Sequence, residues 1–229
     1  MLRKKTISED ANYYSYTRTI KKFVDIFENK LTPKQKMGVI GELLAHVLIS
    51  RHIPDLSIVT LIMSKEEDQI HKGFDFVYIS KGNIALWYGE AKSGELQQQT
   101  TTQKNRDLLN KAKSGIVTYL KGSRDRLWDS AIIEANQTLV AAKAKTARQM
   151  LRDDLLAIQS NSSTKKNAIL VSIIFHDVNN PLDENDLSSY LQTVKDEGVF
   201  NDITIFSIQK STYSKVVDFL YSEAEINEG

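Results

Sequence analysis

The chain has 229 residues, 41% of them hydrophobic and 26% charged. These are ordinary globular proportions that exclude a disordered, collagen-like or coiled-coil protein, and the length predicts one decorated domain over residues 1–229. The absence of cysteine excludes disulfides, thiolate metal sites and cysteine nucleophiles, and fits a reducing cytoplasm.

The N-terminal Met1-Leu2-Arg3-Lys4-Lys5 is charged without an apolar run behind it, so neither a secretory leader nor a membrane span is expected. Residues 8–29 mix Tyr13, Tyr14 and Tyr16 with Ile20, Phe23, Val24, Ile26 and Phe27 and read as a helix whose aromatics pack. Thr32-Pro33-Lys34-Gln35 supplies an N-cap hydroxyl, a proline at the first helical position and a glutamine at the third, so a helix starts at Pro33. It continues apolar on nearly every side through Ile49, which implies burial against a sheet, with one carboxylate, Glu42, inside the apolar stretch. Pro54 breaks the chain. Residues 56–62 read as a strand, Lys65-Glu66-Glu67-Asp68 as a charged turn, 74–79 as a second strand, 80–83 as a hairpin turn and 84–92 as a third strand. Helical periodicity occupies 101–120, and a longer amphipathic stretch runs from 128 to 158. The run 168–175 is apolar on both faces, as a central parallel strand would be, and is followed by a helix at 184–195, a strand at 203–208 and a helix at 212–224. This order predicts an α/β fold with a mixed central β-sheet flanked by α-helices. Its parts are a core at about 32–120, a helical insertion at about 128–160 and a strand-helix completion at 165–229.

The net charge of +1 hides an asymmetry, because residues 176–229 hold 11 acidic and 3 basic side chains and the basic excess lies in front of them. Within 104–126, Lys104, Arg106, Lys111, Lys113, Lys121, Arg124 and Arg126 face only Asp107 and Asp125, a pattern suited either to tracking phosphates or to a solvated helix face. The acidic C-terminal quarter suits a protein partner, a surface that repels DNA, or plain solvation.

Strand period two places Asp75, Val77 and Ile79 on one face of the second strand, and Leu86, Tyr88, Glu90 and Lys92 on one face of the third. Asp75 and Glu90 on neighbouring strands can then share one divalent ion, with the Ala91 carbonyl as a further ligand and Glu42 completing the shell. An all-oxygen donor set favours Mg²⁺, with Mn²⁺ as a substitute. Lys92 beside it would orient water and offset charge on a phosphate. The bland alternative has Lys92 merely paired with Asp75 or Glu90, and Glu42 hydrogen-bonded to His46 one turn on. None of His46, His52, His71 and His176 forms a zinc-type pair, and His46 is expected as a hydrogen-bonded core residue, while His71 and Lys72 are placed to contact phosphate. No Gly-x-Ser-x-Gly elbow and no phosphate-binding loop of the ATPase type is present, so energy-coupled work needs another subunit.

Gly41-Glu42, Gly73-Phe74-Asp75 and Trp87-Tyr88-Gly89-Glu90-Ala91-Lys92 resemble the PD-(D/E)xK nuclease superfamily, and within it the sequence is most similar to the HamA-type effector nucleases of Hachiman bacterial anti-phage defence. The resemblance implies a restriction-endonuclease-like core and metal-dependent hydrolysis of DNA, with Asp75 and Glu90 as ligands, Lys92 beside the attacking water and Glu42 as an accessory acid. It further implies a HamB-like helicase partner that restrains the nuclease. Two departures are visible: no proline precedes Asp75, and after Lys92 the run Gln97-Gln98-Gln99 is not followed by the Gln-x-x-x-Tyr pattern, so exonuclease polarity is not implied. A noncatalytic module with a nuclease-like fold, and a structure-selective nuclease of repair or mobile elements, are the alternatives.

Overall fold

A computed structural model describes residues 16–61, 74–82, 84–122, 125–162, 165–176, 179–211 and 213–225. The elements follow in the order α1 (Tyr16–Asn29), α2 (Pro33–His52), β1 (Leu56–Ile58), β2 (Phe76–Ser80), β3 (Leu86–Glu95), α3 (Thr101–Lys121), α4 (Asp125–Thr138), α5 (Ala141–Gln159), β4 (Asn167–Phe175), α6 (Glu184–Asp196), β5 (Ile203–Lys210) and α7 (Tyr213–Glu225). The strands form one sheet in the order β1-β2-β3-β4-β5, antiparallel on the β1 side of β3 and parallel on the β5 side. This is the α/β class read from the sequence, a mixed sheet flanked by helices, and it is consistent with a restriction-endonuclease-like core.

Two apolar layers sandwich the sheet. Leu109, Ala112 and Ile116 of α3, Trp128 and Ala131 of α4 and Leu151 of α5 close over Val77, Tyr88 and Leu170 on one face. Ile40, Ala45 and Ile49 of α2, with Phe23 of α1 and Leu220 of α7, cover Phe76, Ala91 and Ile169 on the other. All nine residues of β4 are buried, as the apolar run predicts for a central strand. The capping box forms as read: Thr32 Oγ1 accepts from Gln35 N–H, and Thr32 N–H donates to Gln35 Oε1 at 2.9 Å.

Several boundaries differ from the sequence reading: β2 begins at Phe76, so Asp75 lies just before the strand, β4 begins at Asn167 and β5 runs to Lys210, and four further differences have a local reason. β1 stops at Ile58 because Val77 N–H turns to the Thr60 hydroxyl, at 2.9 Å, in place of a backbone acceptor. Ile84, expected in a strand, lies in the left-handed region at φ 44, and β3 begins at Leu86. β3 runs on to Glu95 because β4 pairs with it that far. The single stretch at 128–158 is two helices, broken where Leu139 turns into the core and Val140 adopts an extended conformation. The start of the first helix at residue 8, the charged turn at 65–68, His71 and Lys72 lie outside the described residues. Among the described residues no helix is long and apolar enough to cross a membrane.

Candidate active site

The site is produced by a mismatch in strand length. Pairing of β2 with β3 ends at Phe76 and Gly89, while β3 continues beside β4. Beyond Gly89 one edge of β3 has lost its strand partner, and the backbone N–H groups there need other acceptors. Asp75, just before β2, supplies one: Ala91 N–H donates to Asp75 Oδ2 at 2.8 Å. Phe74 fixes the approach of Asp75, because its fully buried ring lies 5.1 Å from Tyr88, 5.1 Å from Trp128 and 5.6 Å from Tyr119.

Strand alternation turns Glu90 and Lys92 to the α3 side. Lys92 Nζ donates to Glu90 Oε1 at 2.5 Å and to the Ala91 carbonyl at 3.1 Å, and it stands 3.8 Å from Asp75 Oδ2. Helix α3 crosses Glu90 at Gly115, where a Cβ would lie 2.9 Å from Glu90 Oε1, so a larger residue would drive the helix off the carboxylate. From the other face, α2 approaches β3 at Gly41, where a Cβ would lie 2.7 Å from Ser93 Cβ. That close approach brings Glu42 into the electrostatic field of Asp75, Glu90 and Lys92. Asp75, Glu90, Ala91 and Lys92 thus meet, with Glu42 coupled to them through space.

Burial dominates the electrostatics. Glu90 is 2% exposed, and its Oε2 has no hydrogen-bond partner. Burial, reinforced by the Asp75 charge, pushes Glu90 up to about 8. Burial, with repulsion from Asp75 and Glu90, holds Glu42 well above the usual carboxylate range. Burial alone would lower Lys92, but the Asp75 and Glu90 carboxylates outweigh it and push it up to about 12. Three carboxyl groups are therefore coupled to one ammonium, and a cation at the unpartnered Glu90 oxygen would offset their charge. The donors are hard oxygens, the type that suits Mg²⁺ or Mn²⁺. Among the described residues no three acidic or histidine side chains converge closely enough to close a metal shell unaided. Mg²⁺ ordinarily keeps several waters and needs only one or two carboxylates, so Asp75, Glu90 and the Ala91 carbonyl could supply its protein donors.

Of the two bland contacts, the Lys92 pairing is present, whereas His46 does not play its part. His46 Nδ1 has no hydrogen-bond partner, its ring lies near those of Phe76 and Tyr78, and burial lowers it to about 4.

The basic residues of α3 fare unevenly. Arg106 Nε donates to Asp186 Oδ1 at 2.7 Å, Lys113 Nζ reaches both oxygens of Glu197 at 2.7 and 2.8 Å, and Lys111 pairs with Asp107 at 2.8 Å. Part of the acidic C-terminal quarter thus faces α3. Lys104 is buried against β3 instead.

A family model described as HamA matches residues 1–224. The chain belongs to the HamA family. The match spans Glu42, Asp75, Glu90 and Lys92 with every strand of the sheet, so the HamA assignment covers the whole candidate site. No curated protein and no solved structure matches the chain.

Two supports of this HamA site escape sequence reasoning. Tyr88 donates through its hydroxyl to Asp154 Oδ2 at 2.5 Å, and Lys166 Nζ holds the other oxygen of Asp154 at 2.6 Å, which ties α5 to β3 two residues before Glu90. No local spacing signals that contact, since Tyr88 and Asp154 are 66 residues apart. Gly115 does leave a trace, as a lone glycine inside an otherwise amphipathic helical pattern.

Proposed function

We propose that this HamA-family protein is a metal-dependent deoxyribonuclease of the PD-(D/E)xK type, acting as the effector of a Hachiman anti-phage defence complex restrained by a HamB-like helicase. The observation that carries this reading is the buried Glu90 carboxylate with its orphaned Oε2, set beside Asp75 and Lys92 at the unpaired edge of β3. Asp75, Glu90 and the Ala91 carbonyl would hold Mg²⁺ or Mn²⁺, with Glu42 as an accessory acid. When bound, such a cation lowers the pKa of water and offsets charge on the phosphate. The chain's own part is positional. Glu90 and the Ala91 carbonyl fix the Lys92 ammonium, which hydrogen-bonds a phosphate oxygen or the incoming water and stays charged at any physiological pH. Asp75 holds the Ala91 amide and so fixes the strand edge against which the phosphate lies. Burial under α3 limits water around Glu90, which strengthens each of these interactions.

The ion pair from Lys92 to Asp75 and Glu90 favours a second reading, a noncatalytic module whose charged cluster is internal glue. Incubation of supercoiled and linear DNA with the purified protein, in Mg²⁺, Mn²⁺ or EDTA and with or without a partner helicase, separates the two. Cleavage with either cation and none in EDTA is expected; intact DNA under every condition would leave the module reading. An adjoining helicase gene favours defence over repair.

A further inference from the structure

Among the described residues, Lys104 is the buried basic residue of α3, whereas Lys121, also without a carboxylate partner, is exposed at the end of the helix. Lys104 is 9% exposed, yet among the described residues its ammonium makes no hydrogen bond and no ion pair. Arg106, Lys111 and Lys113 each hold a carboxylate. Lys104 lies across β3 at Gly94, where a Cβ would stand 3.0 Å from its Cε and 3.3 Å from its Nζ. The missing side chain at Gly94 is the gap that admits this ammonium. Gly94 lies on the same face of β3 as Glu90 and Lys92, because strand residues alternate. Its stem is buried while its Nζ is not among the polar atoms sealed from solvent, so an unpaired ammonium is held in a fixed place where an anionic ligand can reach it.

Two residues of strand separate Lys92 from Gly94, roughly 6.5 Å of rise. That matches the scale on which successive phosphates follow one another along a nucleic-acid strand. We propose that Lys104 binds the backbone phosphate next to the one at Lys92, so that the site grips two consecutive phosphates of a single strand. The inference rests on the nuclease reading and narrows its substrate to polynucleotides. The acid-paired arginine and lysines of α3 are then not the principal DNA contacts, although the run of basic residues suggests them.

The test is DNA binding by the full chain, followed by fluorescence anisotropy of a labelled oligonucleotide over a series of salt concentrations. Lys104→Met keeps the apolar stem on Gly94 and removes the charge; Lys104→Arg keeps the charge. Lys104→Met is expected to weaken binding about tenfold and to reduce the log-log salt slope by about 1, the loss of one phosphate contact, while Lys104→Arg retains the wild-type slope. In cleavage assays the Lys104→Met penalty should be several times larger on an oligonucleotide than on a dinucleoside monophosphate, which has a single phosphate. A salt slope unchanged in Lys104→Met would reduce Lys104 to packing and overturn the proposal without touching the nuclease reading. A slope reduced in a protein that cuts nothing would uphold the phosphate contact and sink the nuclease reading.

Discussion

Replacement of Lys92 by alanine is expected to lower the rate of cation-dependent DNA cleavage by about 10³-fold, while DNA affinity changes by less than about threefold. The separation follows from where Lys92 stands. Its ammonium is fixed by Glu90 Oε1 and the Ala91 carbonyl, so it is aimed at one position at the strand edge and contributes little to the longer electrostatic footprint that holds DNA. A donor of this kind is stronger where charge develops in the transition state than in the ground state, and its removal is felt in turnover. Single-turnover cleavage together with anisotropy measures both quantities. Cleavage at the wild-type rate by Lys92→Ala would remove Lys92 from the chemistry and leave it as the partner of two carboxylates.

Replacement of Glu90 by glutamine is expected to stabilise the protein in the absence of divalent cations. The sign follows from the direction of the shift. Glu90 is pushed from its ordinary 4.5 up to about 8 in the fold, so its ionisation costs nothing below about 4.5, costs progressively more as pH rises, and costs the full amount above about 8. At pH 8.5 in EDTA, Glu90→Gln should therefore gain about 1–3 kcal/mol, a rise in Tm of roughly 3–9 °C for a chain of this size, and near pH 5 the gain should shrink toward zero. Mn²⁺ should raise the Tm of the wild type and have little effect on Glu90→Gln, because ligation of the orphaned oxygen is what offsets the buried charge. Thermal unfolding across pH, with and without Mn²⁺, checks this. A glutamine variant less stable than wild type at high pH would mean that the Lys92 pairing already compensates Glu90.

The features legible in the sequence are those governed by local spacing. The Thr32 capping box, the apolar run of β4 and the shared face of Glu90 and Lys92 follow from helical or strand period alone, and all three are present in the fold. The hairpin places Asp75 near Glu90, but its contact with the Ala91 amide depends on where β2 pairing ends, which no periodicity encodes. The basic residues of α3 were open to two readings. Their partners Asp186 and Glu197 lie 80 and 84 residues away, in α6 and at its C-terminal end, and meet α3 because α6 packs on the same layer. The turn at Ile84 and the helix break at Val140 are not legible in the sequence because neither position carries a glycine or proline. Gly115 makes room for Glu90 by close packing and Asp154 accepts the Tyr88 hydroxyl; a lone glycine in α3 hints at the first, whereas no local pattern reveals a partner as distant as Asp154.

The most direct measurement is a calorimetric titration of the purified protein with Mn²⁺ at pH 8, comparing wild type with Asp75→Asn and Glu90→Gln. A saturable binding heat in the wild type that is lost in both variants is the predicted result. Binding heats indistinguishable among the three proteins would contradict a divalent-cation site built on Asp75 and Glu90, and with it the nuclease reading of this HamA-family chain.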